Sequence, residues 1–177
     1  MKNSLSFLSL ATAAVLTFSN AANAADGTIT INGEITDTTC SISVNGQAPD
    51  ATLTLPTVSA NTLNAAGETA GTTPFNITLT GCTNATQKNA STWFESGATV
   101  DSTSGRLNNS GTASNVQVEL LNSAQNAIVA GSASQNDVPV DISSGSGTLS
   151  YYARYYATAP TTAGTVTTTV DYTIVYD

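Results

Sequence analysis

Apolar residues along this chain recur mostly at every second position, in short runs separated by Gly, Asn, Ser and Thr. Side chains of an extended strand alternate between two faces, so each run reads as a strand with one face meant for burial. Residues 72–82 put Phe75, Ile77 and Leu79 on one face, with Gly81 placed to kink the end before Cys82. Residues 149–157 put Leu149, Tyr151, Ala153 and Tyr155 on one face and Tyr152, Arg154 and Tyr156 on the other. Residues 114–121 alternate Val116, Val118 and Leu120, and 127–129 extend further. Residues 166–176 align Val166, Val170, Tyr172, Ile174 and Tyr176, with Thr168 in register. Shorter strands are expected at 38–44, where Ile42 and Val44 share a face with Cys40, at 51–55 (Leu53, Leu55), at 93–95 and at 106–107. Another falls at 138–142, where Pro139 marks an edge. Asn45-Gly46 is a turn. Residues 58–68 read as a loop or a short helical turn around Leu63. No segment carries helical periodicity beyond a turn or two. Many short strands with turn signals between them predict an all-β, immunoglobulin-like β-sandwich.

The two ends of the chain stand apart from this pattern. Residues 26–37, DGTITINGEITD, place Ile29, Ile31, Gly33 and Ile35 on one face and Thr28, Thr30, Asn32 and Glu34 on the other. No hairpin turn joins this strand to the next, so its apolar face is buried either on its own domain or on another copy. The last strand, 166–176, likewise has no partner following it. A sandwich lacking its last strand leaves an apolar groove along the final one. Val170, Tyr172, Ile174 and Tyr176 would face that groove, and another molecule's Ile29, Ile31, Gly33 and Ile35 would fill it. Burying three isoleucines at about 1.5–3 kcal/mol each contributes roughly 5–9 kcal/mol. Strand addition of this kind is a known recognition mode. The expectation is an incomplete sandwich completed by donor-strand exchange.

Lys2, the apolar run 5–18 and Ala22-Asn23-Ala24 make residues 1–24 an export signal. The run is too short and too rich in Ser and Thr for a membrane span. What remains is an N-terminal extension, 25–37, and one domain, 38–177, large enough for a proper core. In an exported chain, Cys40 and Cys82 read as a disulfide closing a loop of about 43 residues, for which chain entropy gives roughly 4 kcal/mol. A metal site on two cysteines is the rival; no histidine and no nearby carboxylate pair supports it.

The formal net charge is −8, and past residue 24 the bases are Lys88, Arg106 and Arg154. Phosphate neutralisation needs clustered Lys and Arg, so nucleic acid is excluded as a partner, and anionic lipid is disfavoured for the same reason. With no histidine, Ser-His-Asp and Cys-His catalysis are excluded. Asp137 and Asp141 are a candidate carboxylate pair, but residues of that kind on short polar strands are ordinarily solvated surface. The tyrosines of 151–156 could stack a sugar, yet their alternation favours core and subunit contacts. Leu55-Pro56-Thr57 lacks the tail of a sorting signal, and Asn84-Ala85-Thr86 is a glycosylation sequon only in a suitable host.

Taken together, GTITINGEITDTTC (27–40), PFNITLTGC (74–82), WFESGATVDSTSGRLNN (93–109), SNVQVELLN (114–122), LSYYARYYAT (149–158), Gly164 and the terminal YTIVYD resemble the major shaft subunits of chaperone–usher fimbriae of the type 1-like group. LPTVSAN (55–61) is further similar to the subgroup whose tip lectins bind N-acetylglucosamine. The resemblance implies a structural pilin with no enzymatic activity and no cofactor, reaching the cell surface through the periplasm. Its implied partners are other copies of itself, a periplasmic chaperone, an outer-membrane usher and tip adhesin or adaptor subunits. Ile29, Ile31, Gly33 and Ile35 match the family's donor strand; Gly164, Tyr172, Ile174 and Tyr176 match the C-terminal motif that pairs with the chaperone, and Asp177 departs from the usual neutral terminus. The alternatives are a minor adaptor or terminator subunit of the same organelle and a secreted carbohydrate-binding β-sandwich.

Overall fold

The structure is a computed structural model that describes residues 29–31, 33, 35, 39–83 and 87–177. The signal segment 1–24 and its cleavage site, Thr28, Asn32, Glu34, Thr38 and the sequon at 84–86 lie outside the described residues. The chain divides into a unit up to Glu34 and a second from Ile35 to Asp177. In the first, Ile29 and Ile31 are 89% and 88% exposed, with no regular secondary structure.

The second unit is built from strands β1 (Thr39–Val44), β2 (Thr69–Thr83), β3 (Asn89–Phe94), β4 (Leu107–Asn108), β5 (Val116–Leu121), β6 (Val140–Asp141), β7 (Ser146–Ala157) and β8 (Tyr172–Tyr176). A 3-10 turn, Ala60–Leu63, seats Leu63 in the interior, as the break in alternation there predicts. One sheet has the order β1-β2-β7-β5-β4 and the other β6-β3-β8. Every pairing is antiparallel.

Between the sheets, Phe75, Ile77 and Leu79 of β2 meet Leu149, Tyr151 and Ala153 of β7 and Ala90 and Phe94 of β3. Tyr151 stands at the centre, its ring 5.5 Å from that of Phe75 and edge-on to Phe94 at 5.3 Å. The inward set on β7 is the one its period-2 pattern requires, and Arg154 and Tyr156 turn outward. Cys40 and Cys82 are disulfide-bonded across β1 and β2. Asn45 and Gly46 both have positive φ, 50° and 74°, as a tight hairpin turn requires. The Asn45 side chain and backbone fasten that turn to Asn76 of β2.

Three sequence expectations are corrected. Residues 51–55 form no strand; Leu53 and Leu55 still pack against the core, but the segment has no neighbouring strand to ladder with. Within 166–176 only Tyr172–Tyr176 is laddered, because upstream the chain bonds to turns rather than to a strand. Residues 127–129 add to β5 as a single bridge, Leu121 to Ala127, with Ile128 N–H on the Leu120 carbonyl.

On its second edge β3 meets β6 only at Asn89 and Ala90. Beyond that point side chains replace a strand. The Asp137 carboxylate accepts the Thr92 N–H, and the buried Gln135 amide takes both the N–H and the carbonyl of Phe94. An unpaired edge invites aggregation, and here polar side chains blunt it.

Candidate functional site

The last strand of the three-stranded sheet has one free edge. Asn89 and Asp177 exchange both backbone hydrogen bonds, at 3.0 and 2.9 Å. Antiparallel pairs alternate, so Val175 and Thr173 also face β3, while Tyr172, Ile174 and Tyr176 point their N–H and C=O groups away from it. Upstream the same parity holds. The carbonyls of Thr165, Thr167, Thr169 and Asp171 are taken by Ala113 N–H, Ser110 N–H, the Thr99 hydroxyl and Glu95 N–H. Even-numbered residues from Val166 to Tyr176 therefore present backbone groups to the open side, and their side chains are the half-buried ones. No strand among the described residues pairs with this edge.

Facing the edge is a groove of about 1060 Å³. One wall carries Val166, Val170, Tyr172 and Ile174; the other carries Ile42 and Val44 of β1, followed by Leu53 and Leu55. The floor is the core itself, with Phe75, Ile77, Phe94 and Val118. Ten residue steps at about 3.3 Å make the free edge roughly 33 Å long, against roughly 20 Å for a strand spanning Ile29 to Ile35. Thr168 also lines the groove, and its Oγ1 is buried without a hydrogen-bond partner.

Of the sequence-predicted groove residues, Val170, Tyr172 and Ile174 line it. Tyr176 packs on the core with its hydroxyl near the Cys40 backbone, and burial pushes its phenol pKa up. Gly164 lies outside the lining. A Cβ there would meet Ala113 N at 2.4 Å, so the glycine serves a backbone-to-backbone contact. Ile35, in the same unit, is fully exposed, and Ile29 and Ile31 of the first unit are exposed. Gly33 is exposed with nothing within 4 Å of where a Cβ would stand.

Sequence reasoning missed Leu53 and Leu55 as groove wall, although their alternation was the signal, and it missed Pro49. The Tyr172 hydroxyl donates to the Pro49 carbonyl at 3.0 Å, across the groove. Burial and the nearby Asp50 charge raise its pKa. The tyrosine cluster at 151–156 offers no open stacking row. Tyr151 is core, Tyr155 lines the groove, and Arg106 lies 3.5 Å over the ring of Tyr156. Asp137 and Asp141 serve separately, Asp137 on Tyr151 and Thr92, and Asp141 in a turn where the Ser143 hydrogen bonds lower its pKa. Among the described residues no group of three or more His, Cys, Asp or Glu could hold a metal, and no helix is long and apolar enough to cross a membrane.

Comparison with known proteins places this architecture. The chain is 50% identical over 166 residues to the major fimbrial subunit SMF-1 of Stenotrophomonas maltophilia, covering 89% of this chain and 96% of that one. It is 45% identical to the F17 fimbrial protein of Escherichia coli, covering 89% and 91%. Its fold is similar to that of the P pilus rod subunit PapA, with a TM-score of 0.59 at 17% identity, covering 78% of this chain and 99% of that one. The family model described as FimA, type-1 fimbrial protein, A, matches residues 55–177. The chain is a structural fimbrial subunit of immunoglobulin-like fold and belongs to the type-1 fimbrial protein family.

Proposed function

We propose that this chain is a shaft subunit that polymerises head to tail by donor-strand exchange. Residues 25–37 of one copy would lie in the groove of the next, with Ile29, Ile31, Gly33 and Ile35 facing the core, after removal of 1–24 on export. The observation that carries this reading is the free edge of Tyr172–Tyr176 and its upstream continuation, bordered by an apolar groove. The exposed isoleucines supply a matching apolar face. Because each copy would offer one surface and accept on a different one, the interface is heterologous, and repetition gives an open filament. While the groove is empty, a periplasmic chaperone would lend it a strand along Val170, Tyr172, Ile174 and Tyr176, with Gly164 at the head of that segment. At the outer-membrane usher an incoming extension would replace it. No nucleotide is needed if the second donor fits better than the first.

One relative favours the shaft over a terminal position. SMF-1 is described as a major subunit, and this chain covers 96% of it. The likeness of LPTVSAN (55–61) extends the reading to an organelle whose tip lectin takes N-acetylglucosamine. Free N-acetylglucosamine would then inhibit adhesion of cells bearing these fibres, and indifference to that sugar would remove this extension. The main test is deletion of residues 25–36. The expected result is a chaperone-bound subunit that never enters a filament; fibres of normal length built from that variant would overturn donor-strand exchange.

A further inference from the structure

We propose that Tyr172 is a latch across the groove, holding its two walls together in a subunit awaiting a strand and opening when one arrives. This rests on the donor-strand reading of the groove.

Tyr172 belongs to the wall that offers backbone groups, and Pro49 to the facing wall. The hydroxyl of one meets the carbonyl of the other at 3.0 Å although they lie 123 residues apart in sequence. A tyrosine side chain laid across a gap, plus one such hydrogen bond, spans about two interstrand spacings, roughly 9.6 Å. That is the separation expected of two strands with room for one between them. A strand paired with Tyr172 would sit about 4.8 Å from it, on the Pro49 side. The Tyr172 hydroxyl reaches the facing wall across that gap, and on this proposal an incoming donor and the Tyr172–Pro49 bond compete for it.

The facing wall explains why a latch is useful. Residues 51–55 have no regular ladder, and their attachment to the core is through Leu53 and Leu55. A bond to Pro49 ties the beginning of this segment to β8 and keeps the groove at the width of one strand. Ile42, Val44 and Ile174 line the groove, as do Leu53, Leu55 and Val170. A strand entering at either end makes its first contacts before it reaches the tyrosine. A phenol is protonated, and therefore a donor, throughout the neutral range, and burial and Asp50 raise its pKa further.

The test uses the oxidised monomer lacking residues 25–36, so that its own extension cannot fill the groove, and a fluorescent synthetic peptide of residues 25–37 as the probe. Stopped-flow and dissociation measurements compare the wild type with Tyr172→Phe. The latch exists only in the empty groove. The variant should therefore take up peptide about 2- to 10-fold faster, the range for one hydrogen bond, with the dissociation rate unchanged. A residue that merely supported the fold would not split the two rates in this way. Tyr172→Leu keeps an apolar side chain in the row but cannot reach Pro49; it should show the same signature and serves where the phenylalanine variant does not fold. Equal association rates for variants that bind peptide would overturn the latch and leave donor-strand exchange standing. No peptide uptake by any variant, wild type included, would overturn both.

Discussion

Tyr151 donates a 2.8 Å hydrogen bond to Oδ1 of Asp137, whose other carboxylate oxygen accepts the N–H of Thr92 at 2.7 Å. One carboxylate thus ties β7, the central strand of the five-stranded sheet, to β3, the middle strand of the three-stranded one. Its geometry also answers the carboxylate-pair question raised by the sequence, since both oxygens are already engaged in structure.

The Tyr151 phenol gives the fold an alkaline limit. Burial, reinforced by the bond to Asp137 and its charge, holds its pKa well above the usual 10. The folded pKa is raised, so the contribution to stability is fully present below pH 10 and is lost as pH rises further, because the unfolded chain gives up the proton first. Each such group steepens the decline by at most about 1.36 kcal/mol per pH unit. Denaturant unfolding followed from pH 8 to 12 should show a flat region and then a fall. In Tyr151→Phe the fall should be shallower, with a neutral-pH loss of about 1.5–3 kcal/mol for the lost bond to a charged acceptor. An unchanged alkaline slope in that variant would show that Tyr151 is not the group responsible.

Glu119 is the most buried of the described charged residues, although it lies on the outer face of β5. Its two oxygens hold Arg106 at 2.9 Å and Arg154 at 2.6 Å, and the two arginines are about a quarter exposed. Removing the glutamate leaves two like charges facing one another, whereas removing either arginine leaves an ion pair. Glu119→Ala should therefore cost more than Arg106→Ala or Arg154→Ala, about 3–5 kcal/mol on the scale of broken buried pairs. Arg106→Lys should also lose stability, since an ammonium cannot reproduce the planar contact with Tyr156. Chemical denaturation of the four variants checks the order.

The face assignments on β7 and on 166–176 were legible in the sequence, because period 2 is a local property of the chain. Val166, Thr168, Val170, Tyr172, Ile174 and Tyr176 all turn inward as the pattern requires. Which of those residues would be laddered was not legible, since it depends on what lies alongside. Thr165 and Thr167 meet the turns at Ala113 and Ser110 instead of a strand. Leu53 and Leu55 failed as a strand for the same reason. The apolar face lining the groove could be anticipated from the alternation of 166–176, but the Tyr172–Pro49 bond joins a side chain to a backbone atom 123 positions away, and no local pattern encodes it. Glu119 carried no signal except that bases are scarce and it pairs with two of them.

Thr168 contributes a hydroxyl that is buried in the groove and unpaired. An unsatisfied polar atom costs about 1–3 kcal/mol, and valine has nearly the same shape without it. Thr168→Val should leave the chain with an empty groove as stable as before or more stable, by up to about 1–2 kcal/mol. A clear loss of stability would mean that the hydroxyl has a partner in solution.

Gly164 illustrates how a residue marked by family likeness can serve packing. A Cβ there would sit 2.4 Å from Ala113 N and 2.7 Å from the carbonyl carbon of Thr112, both backbone atoms that cannot swing aside. Around it, Thr112 N–H donates to the Thr165 hydroxyl at 3.0 Å, and Thr165 N–H returns a bond to the Thr112 hydroxyl at 2.9 Å. Asn109 Oδ1 accepts from Thr167 N–H at 2.8 Å in the same contact. Gly164→Ala must push these two segments apart, and the displaced segment leads directly into the groove wall at Val166. The expected result is a loss of about 1–3 kcal/mol, typical of overpacking, together with faster amide exchange at Thr165 and Thr167, while the amides of β2 and β7 keep their protection. Uniform exchange across the chain would show that the contact is not a local fastening of the wall.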